Sequence, residues 1–470
     1  MSDKSSPQYG LPPDRLESQF SDYKPLFTEA EALIEANRCL NCYDAPCISA
    51  CPTGIDIPAF IKKIATGNII GSAKVIFEAN MLGYSTGRVC PVEELCVGAC
   101  VYNDLNSSPI QIGRLQRYAT KKAMEIEENT GKKLFPRNKR KCEKKVALIG
   151  AGPASLACAA YLALDGVEAV IFEKDVLPGG LNTTAVAPYK IQTEDSITEV
   201  NWILQHGVEL KTGVEIGKDI SLEQLIDEYE AVFIGIGLGT GKRLELQGND
   251  SSGIWRATDL IRKIKNDPDF SLPDKLNTVL IIGGGNTAID ISRELAMLGV
   301  KDVRLLYRRS RQEMPGYEHE MVEASRYGVR LVENVTPLEI IRNGEKINSL
   351  KVKSTVSNDI FDFPCDWVVE AVGQLKHVFD ISPDIEVDEM GRLVVDSKSF
   401  RTTNPKVYAG GDCINGGKEV VNAAQDGREA AFDMLKSWGI SPSLHGEKYF
   451  KSFTSIFVQE MTKEENIKNG

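Results

Sequence analysis

The sequence predicts an α/β chain in which a helical, cysteine-rich domain precedes two doubly wound, parallel-sheet domains, the second inserted in the first. Three observations predict it. Seven of the eleven cysteines fall between Cys39 and Cys100. An apolar strand, a glycine turn and a helical run follow one another twice, over residues 145–164 and 277–298. The length of 470 residues exceeds what one hydrophobic core usually serves, and at about 150 residues per domain it calls for two or three.

Composition narrows the classes. Apolar residues at 42% and charged residues at 26% supply each domain with a core, which argues against wholesale disorder. A formal charge of −11 disfavours a nucleic-acid or anionic-membrane partner, because binding to such polyanionic surfaces is driven by Lys and Arg displacing counterions. Residues 1–13 are polar and broken by prolines, and no stretch reaches the roughly 20 apolar residues that span a bilayer, so a cytoplasmic chain is expected. Thiols stay reduced there, and the cysteines are not read as a disulfide framework.

In the first domain, Thr28 and Glu31 form a capping box before an apolar pattern through Ala32, Leu33 and Ala36. The run Cys39-x2-Cys42-x4-Cys47-x3-Cys51-Pro52 follows, one gap longer than a ferredoxin run. Cys90-Pro91-x4-Cys96-x3-Cys100 is a second group of thiolates able to converge on inorganic iron and sulfide. Structural zinc is the alternative, but it favours paired knuckles or added histidines, and no His precedes His206. Two [4Fe–4S] clusters take four ligands each, one more than the seven cysteines supply, so a further ligand is needed outside them. A basic stretch from Lys132 to Lys145 with Pro136 inside reads as a linker to a strand at Val146–Ile149.

The first glycine turn, Gly150-Ala-Gly152-Pro153-Ala154-Ser155, opens a helix whose N-terminal N–H groups and dipole suit a pyrophosphate. Ser155 stands where a third glycine is usual, and Glu173, followed by Lys174, ends the next strand where a ribose hydroxyl pair would bind. Gly179-Gly180-Leu181 and the distant Gly410-Gly411-Asp412 add a second pyrophosphate-side turn and an acid for a ribityl chain, which favours FAD at this turn. The second turn, Gly283-Gly-Gly285-Asn286-Thr287-Ala288, is followed by a strand ending in Arg308-Arg309 instead of an acid. Guanidinium groups match a 2′-phosphate, so NADP(H) is expected there ahead of NAD(H). Cys142 and Cys158 read as incidental or core residues, the only CxxC lies in the cluster run, and the four histidines are scattered. The chemistry is therefore expected from cofactors, with no protein residue cast as catalytic.

At Arg38–Cys47, Cys90–Cys100, the two glycine turns, Phe233–Leu238 and Gly410–Asp412, the chain resembles the flavin-containing half of dihydropyrimidine dehydrogenase and the bacterial small subunit of that enzyme. The small subunit of glutamate synthase is related. The resemblance runs from about Thr28 to about Thr462. It implies that Cys39, Cys42, Cys47 and Cys100 hold one cluster, and that Cys51, Cys90, Cys96 and Gln116, in Gly113-Arg-Leu-Gln116, hold the other. It also implies that Gly373 and the segment from Val420 to Gly427 line the nicotinamide and flavin sites.

The expected organisation is a helical iron–sulfur domain over 1–142, an FAD domain from 143–248 and 376–441, an NAD(P)H domain over 249–375 and a tail over 442–470. The expected activity is electron input: hydride from NAD(P)H to FAD, then single electrons through two clusters to a partner subunit. That partner is an FMN-containing barrel of the dihydropyrimidine dehydrogenase type, or a glutamate synthase large subunit. Glutamate synthase relatives tend to carry Glu where Gln116 stands, whereas Tyr307-Arg-Arg309 through Met314-Pro-Gly316 looks more like glutamate synthase. A non-catalytic iron–sulfur scaffold is opposed by the intact Gly150, Gly152, Glu173, Gly283 and Arg308.

Overall fold

Helices make up the chain as far as Thr130 in the computed structural model, which describes residues 11–136, 142–249, 252–375 and 384–444. Thr28 accepts the Glu31 N–H while Glu31 accepts the Thr28 N–H, so the capping box starts the helix Glu29–Asn37. Asp56 and Asn68 cap the helices Ile57–Ala65 and Ile69–Ala79 by accepting the Ala59 and Gly71 N–H groups through their side chains. With Gly83–Val89 and Ile112–Thr130 these helices enclose a core of Phe60, Ile61, Ile76 and Leu115, and Cys39, Cys47, Cys51, Cys96 and Cys100 pack against its edge.

The strands in chain order are β1 (Lys145–Ile149), β2 (Glu168–Glu173), β3 (Val208–Thr212), β4 (Ala231–Ile234), β5 (Ile254–Arg256), β6 (Thr278–Ile282) and β7 (Asp302–Leu306). They continue as β8 (Arg330–Val332), β9 (Val335–Asn343), β10 (Lys346–Ser354), β11 (Ile360–Pro364), β12 (Trp367–Glu370) and β13 (Val407–Ala409). One five-stranded parallel sheet has the order β13-β4-β1-β2-β3, and a second has β5-β12-β6-β7-β8. β4 pairs with β1 on one side and with β13 on the other, so the second sheet is formed by chain that leaves the first and returns to it. The inner strands β1, β4 and β6 are largely apolar because both faces of each sheet are covered, whereas the edge strands β3 and β8 carry exposed charged residues. A three-stranded antiparallel sheet, β11-β10-β9, packs Ile340, Leu350 and Val352 against Ile282, Leu306 and Val368 of the second sheet.

Two details differ from the sequence reading. The stretch read as a linker is anchored at its start, with Leu134 and Phe135 buried in the first sheet's core. The crossing to the second sheet lies ahead of residue 248: Gly241 bridges Gln374, Leu244 and Leu246 pack into the second core, and Gln247 bridges Glu339. The cause is packing of the half-buried Leu244 and Leu246 against that core, which a local reading takes as part of the outgoing loop. The second crossing, expected at 376, and most of the expected tail fall outside the described residues, as do His377 and His445. Among the described residues no helix is long and apolar enough to cross a membrane.

The helical domain is fastened to the first sheet by Phe77 stacking on Trp202 at 4.3 Å and by the Tyr161 hydroxyl donating to the Phe77 and Glu78 carbonyls at 3.2 Å. Glu199, buried on the helix Thr193–Leu204, accepts the Tyr84 and Ser85 N–H groups at 2.9 and 3.0 Å through Oε1, and its buried Oε2 has no partner. Burial pushes this carboxyl up to about 7. In the unfolded chain it titrates near 4.3, so the stability it confers is complete below about pH 4 and is lost as the pH rises through about 7. The loss is on the order of 3 kcal/mol. Glu199→Gln should therefore gain on the parent chain as the pH is raised from about 5 to about 8. Denaturant unfolding at each pH tests this; parallel pH curves for the two proteins would refute it.

Candidate functional site

The cysteines that run together in sequence separate in space. Cys39, Cys42, Cys47 and Cys100 line one cavity, whereas Cys51, Cys90, Cys96 and Gln116 line another. The short helix Pro46–Ser49 carries Cys47 and delivers Cys51 beyond its end, and Asn41, at φ +52°, bends the loop between Cys39 and Cys42. Ile57 lines both cavities, so one apolar side chain stands between them. Val421, from the far end of the chain, also lines the second.

Gln116 reaches its cavity because two helices touch backbone to backbone. A Cβ on Gly87 would stand 3.0 Å from the Arg117 nitrogen, and one on Gly113 would stand 3.1 Å from the Gly87 carbonyl oxygen. The amide's orientation is then fixed by hydrogen bonds. Thr86 donates its hydroxyl hydrogen to the Leu82 carbonyl at 2.8 Å, so its oxygen must accept from Gln116 Nε2 at 3.0 Å, and the Gly83 carbonyl accepts from the same nitrogen at 2.7 Å. Oε1 is left as the group that serves the cavity.

Burial pushes the Cys47 thiol up to about 12 and moves those of Cys39, Cys90 and Cys96 upward as well, with neighbouring cysteine charges adding to the rise. Thiolates in such surroundings need a cationic centre to stabilise them. Among the described residues no group of His, Cys, Asp or Glu is arranged to hold a single metal ion. Cysteine-dominated donor sets with no histidine among them are ones an iron–sulfur cluster takes.

At the first glycine turn, Gly150 is at φ +87°, and a Cβ there would stand 2.8 Å from the Gly235 carbonyl oxygen. Gly179 donates its N–H to the Ala151 carbonyl at 2.9 Å, and Gly180 lies so close that its Cβ would stand 3.0 Å from Gly152 Cα. Gly411 donates its N–H to Asp426 at 2.9 Å and faces Ala154. Three segments remote in sequence thus converge on the N-terminus of the helix Pro153–Leu164, the arrangement a dinucleotide requires. Glu173 accepts the Ala151 N–H at 2.6 Å and the Asp175 N–H at 2.8 Å, fixing the carboxylate beside the turn, although burial raises its pKa. Asp412 accepts the Lys418 N–H at 3.1 Å and is also shifted upward by burial. Ser155 is fully buried against Gly235 on the strand side, so it packs the turn from behind. Lys174 and Leu181 are exposed, and Val420 is the first residue of the helix Val420–Ser437.

The second turn opens a cavity of about 630 Å³ lined by Gly283, Gly285, Thr287, Arg308, Arg309 and Gly373. Among the described residues the Arg308 guanidinium has no carboxylate partner, whereas Arg311 is taken up by Glu318. Arg309 lies 5.5 Å over the Tyr307 ring, whose edge would meet a Cβ on Gly284 at 2.4 Å. Asn286 accepts the Tyr317 N–H at 2.9 Å and Ala288 is buried in the helix, so both support the turn without lining the cavity. Sequence reading missed Thr336, Pro337, Leu244 and Gln374 on the opposite wall, which carry no local motif.

Residues 16–128 match the family described as dihydropyrimidine dehydrogenase domain II, 4Fe-4S cluster, and residues 144–427 match the pyridine nucleotide-disulphide oxidoreductase family. The chain belongs to the pyridine nucleotide-disulphide oxidoreductase family. It is 34% identical to the glutamate synthase [NADPH] small chain of Escherichia coli K12, covering 88% of this chain and 93% of that one. It is also 34% identical to the NAD-dependent dihydropyrimidine dehydrogenase subunit PreT of the same strain, covering 88% and 96%. Among solved structures, the thioredoxin reductase of T. acidophilum superposes with a TM-score of 0.52 at 22% identity, covering 63% of this chain and 99% of that one, a likeness of fold. The chain is accordingly an NAD(P)H-dependent flavin and iron–sulfur oxidoreductase of this family.

Within this oxidoreductase, Gln116→Glu would turn a carboxylate oxygen toward the Gly83 carbonyl where an N–H now donates. The cost is about 1–3 kcal/mol. We expect iron and sulfide per chain to fall in the anaerobically purified variant, and unchanged iron and sulfide would contradict the assigned amide orientation.

Proposed function

We propose that the chain is the electron-input subunit of a two-component oxidoreductase. FAD is held by the turns at Gly150, Gly180 and Gly411 with Glu173, NADPH by the cavity between Gly283 and Arg308–Arg309, and two [4Fe–4S] clusters by the two cysteine cavities. The observation that carries this reading is continuity: Val421, at the N-terminus of a helix that packs on the first glycine turn's helix, lines the Gln116 cavity, and Ile57 joins that cavity to the next. When bound, FAD accepts two electrons as hydride, and each cluster carries one at a time. The chain's own part is to orient and to exclude water. Asp426 holds the Gly411 turn, Gln116 supplies a neutral oxygen, and Val421 and Ile57 keep the space between cofactors dry.

The partner proposed is an FMN-containing barrel subunit of the dihydropyrimidine dehydrogenase type. The Gly83 carbonyl and Thr86 oxygen both call for a donor, which favours glutamine over the glutamate that glutamate synthase relatives tend to carry. A glutamate synthase large subunit is the second reading, favoured by the segment through Gly316, whose N–H bonds the Gly284 carbonyl at 2.9 Å beneath the second cavity. Purified anaerobically with its partner, the chain should oxidise NADPH when uracil or thymine is added. Oxidation that depends instead on glutamine and a 2-oxo acid would assign the second reading and sink the first.

Arg308→Ala should raise KM for NADPH about tenfold or more, since a charge-assisted hydrogen bond contributes about 1.5–3 kcal/mol, and should leave KM for NADH within about twofold. Equal effects on both coenzymes would remove the 2′-phosphate assignment.

A further inference from the structure

Large apolar side chains stand exposed in one corner of the helical domain. Leu33 and Ile34 lie on the helix Glu29–Asn37, Leu40 and Tyr43 in the loop of Cys39 and Cys42, and Leu105 in the turn after Cys100. Ile34 is 68% and Tyr43 85% exposed, values that a solvated surface does not favour in a cluster. The two loops lie side by side, because the Tyr102 hydroxyl donates to the Arg38 carbonyl at 2.8 Å and the Arg38 guanidinium sits 5.4 Å over the Tyr102 ring. Leu40 and Tyr102 also line the Cys39–Cys100 cavity, so the apolar corner adjoins that cavity through Leu40. The Gln116 cavity faces inward by contrast, against Val421 and the buried Asn80 and Thr86.

Charge gives the corner a sign. Asp44 and Asp104 are exposed beside it, and neither is in an ion pair among the described residues. Arg38, the cation between them, is taken up by Glu35 at 2.8 Å. Burial of such a face against another protein removes apolar surface from water, and free carboxylates at its edge attract a basic rim.

We propose that this corner docks the electron-accepting partner, a redox protein whose contact face is apolar and rimmed by lysine or arginine, and that electrons leave through the Cys39–Cys100 cavity. The inference rests on the proposed cluster assignment. The test uses the holoenzyme with NADPH and two acceptors: ferricyanide, a small ion, and cytochrome c, a basic-rimmed protein. Ile34→Lys combined with Tyr43→Lys should raise KM for cytochrome c about tenfold, while ferricyanide reduction stays at the parent rate. The milder pair Ile34→Ala with Tyr43→Ala should give a smaller rise, and Val356→Lys, at an exposed apolar position 76% open on the β10–β11 turn, should give none. Unchanged KM in the charged pair, or an equal change in the Val356 control, overturns the proposal. So does a dimer in solution that the charged pair disperses, because the corner would then belong to a second copy of the chain. Paramagnetic resonance of the parent protein separates the two levels: absence of reducible clusters sinks the underlying reading, whereas intact clusters with unaltered cytochrome c kinetics sink only the docking face.

Discussion

The helix Val420–Ser437 lies against the helix Pro153–Leu164 only because residue 427 has no side chain: a Cβ there would stand 2.0 Å from the Ala154 carbonyl oxygen. That contact sets the first glycine turn, the Gly411 turn and the cysteine cavities relative to one another. The next residue, Arg428, donates to the Thr53 carbonyl at 2.9 Å and the Ala79 carbonyl at 2.5 Å, reaching across to the helical domain. Seven residues before Gly427, the same helix starts beside the Gln116 cavity. An added methyl group would separate the pair at a cost of about 1–3 kcal/mol and would shift both cofactor regions together, because a packed helix moves as a unit.

The two sheets meet through buried charge. Lys190 lies 2.7 Å from Asp290 and 2.8 Å from Glu320, and Tyr189 donates to Asp290 at 2.8 Å. Arg293 sits between the rings of Tyr23 and Tyr189 at 4.4 and 4.3 Å. Lys265, fully buried, donates to the carbonyls of Asn182, Val186 and Ile191, and burial lowers its pKa. Such networks are costly to desolvate, and removing one partner leaves an uncompensated charge. They therefore resist any alternative seating of the second sheet on the first, and with it any other placement of the coenzyme cavity.

The sheets and turns were legible because their residues are constrained locally. Gly150 and Gly284 stand where a Cβ meets a backbone oxygen or a tyrosine ring, so the glycine pattern and the geometry are one fact. The division of the cysteines was not legible from spacing. Cys51 is four residues from Cys47 yet lines the other cavity, and Cys100 crosses back to the first, because helices that meet only in the folded chain decide the grouping. Resemblance supplied that partition, and Gly113 gives it a physical cause by letting Gln116 approach. The far wall of the coenzyme cavity, at Thr336 and Pro337, and the burial of Leu134 and Phe135 depend on contacts distant in sequence, for which periodicity holds no signal.

The donor sets of the two cavities differ in charge, and the difference bears on direction. Three thiolates and a neutral amide bring one negative charge fewer than four thiolates, and the potential of an iron–sulfur centre rises as its net negative charge falls. On the proposed assignment the inner seat, beside Val421, is therefore biased to accept electrons from the flavin side. The outer seat carries the fuller negative charge but lies at the exposed corner of Leu40 and Tyr43, where water offsets it. On the same assignment, a partner that covers the corner and excludes that water would push the outer seat toward giving its electron away.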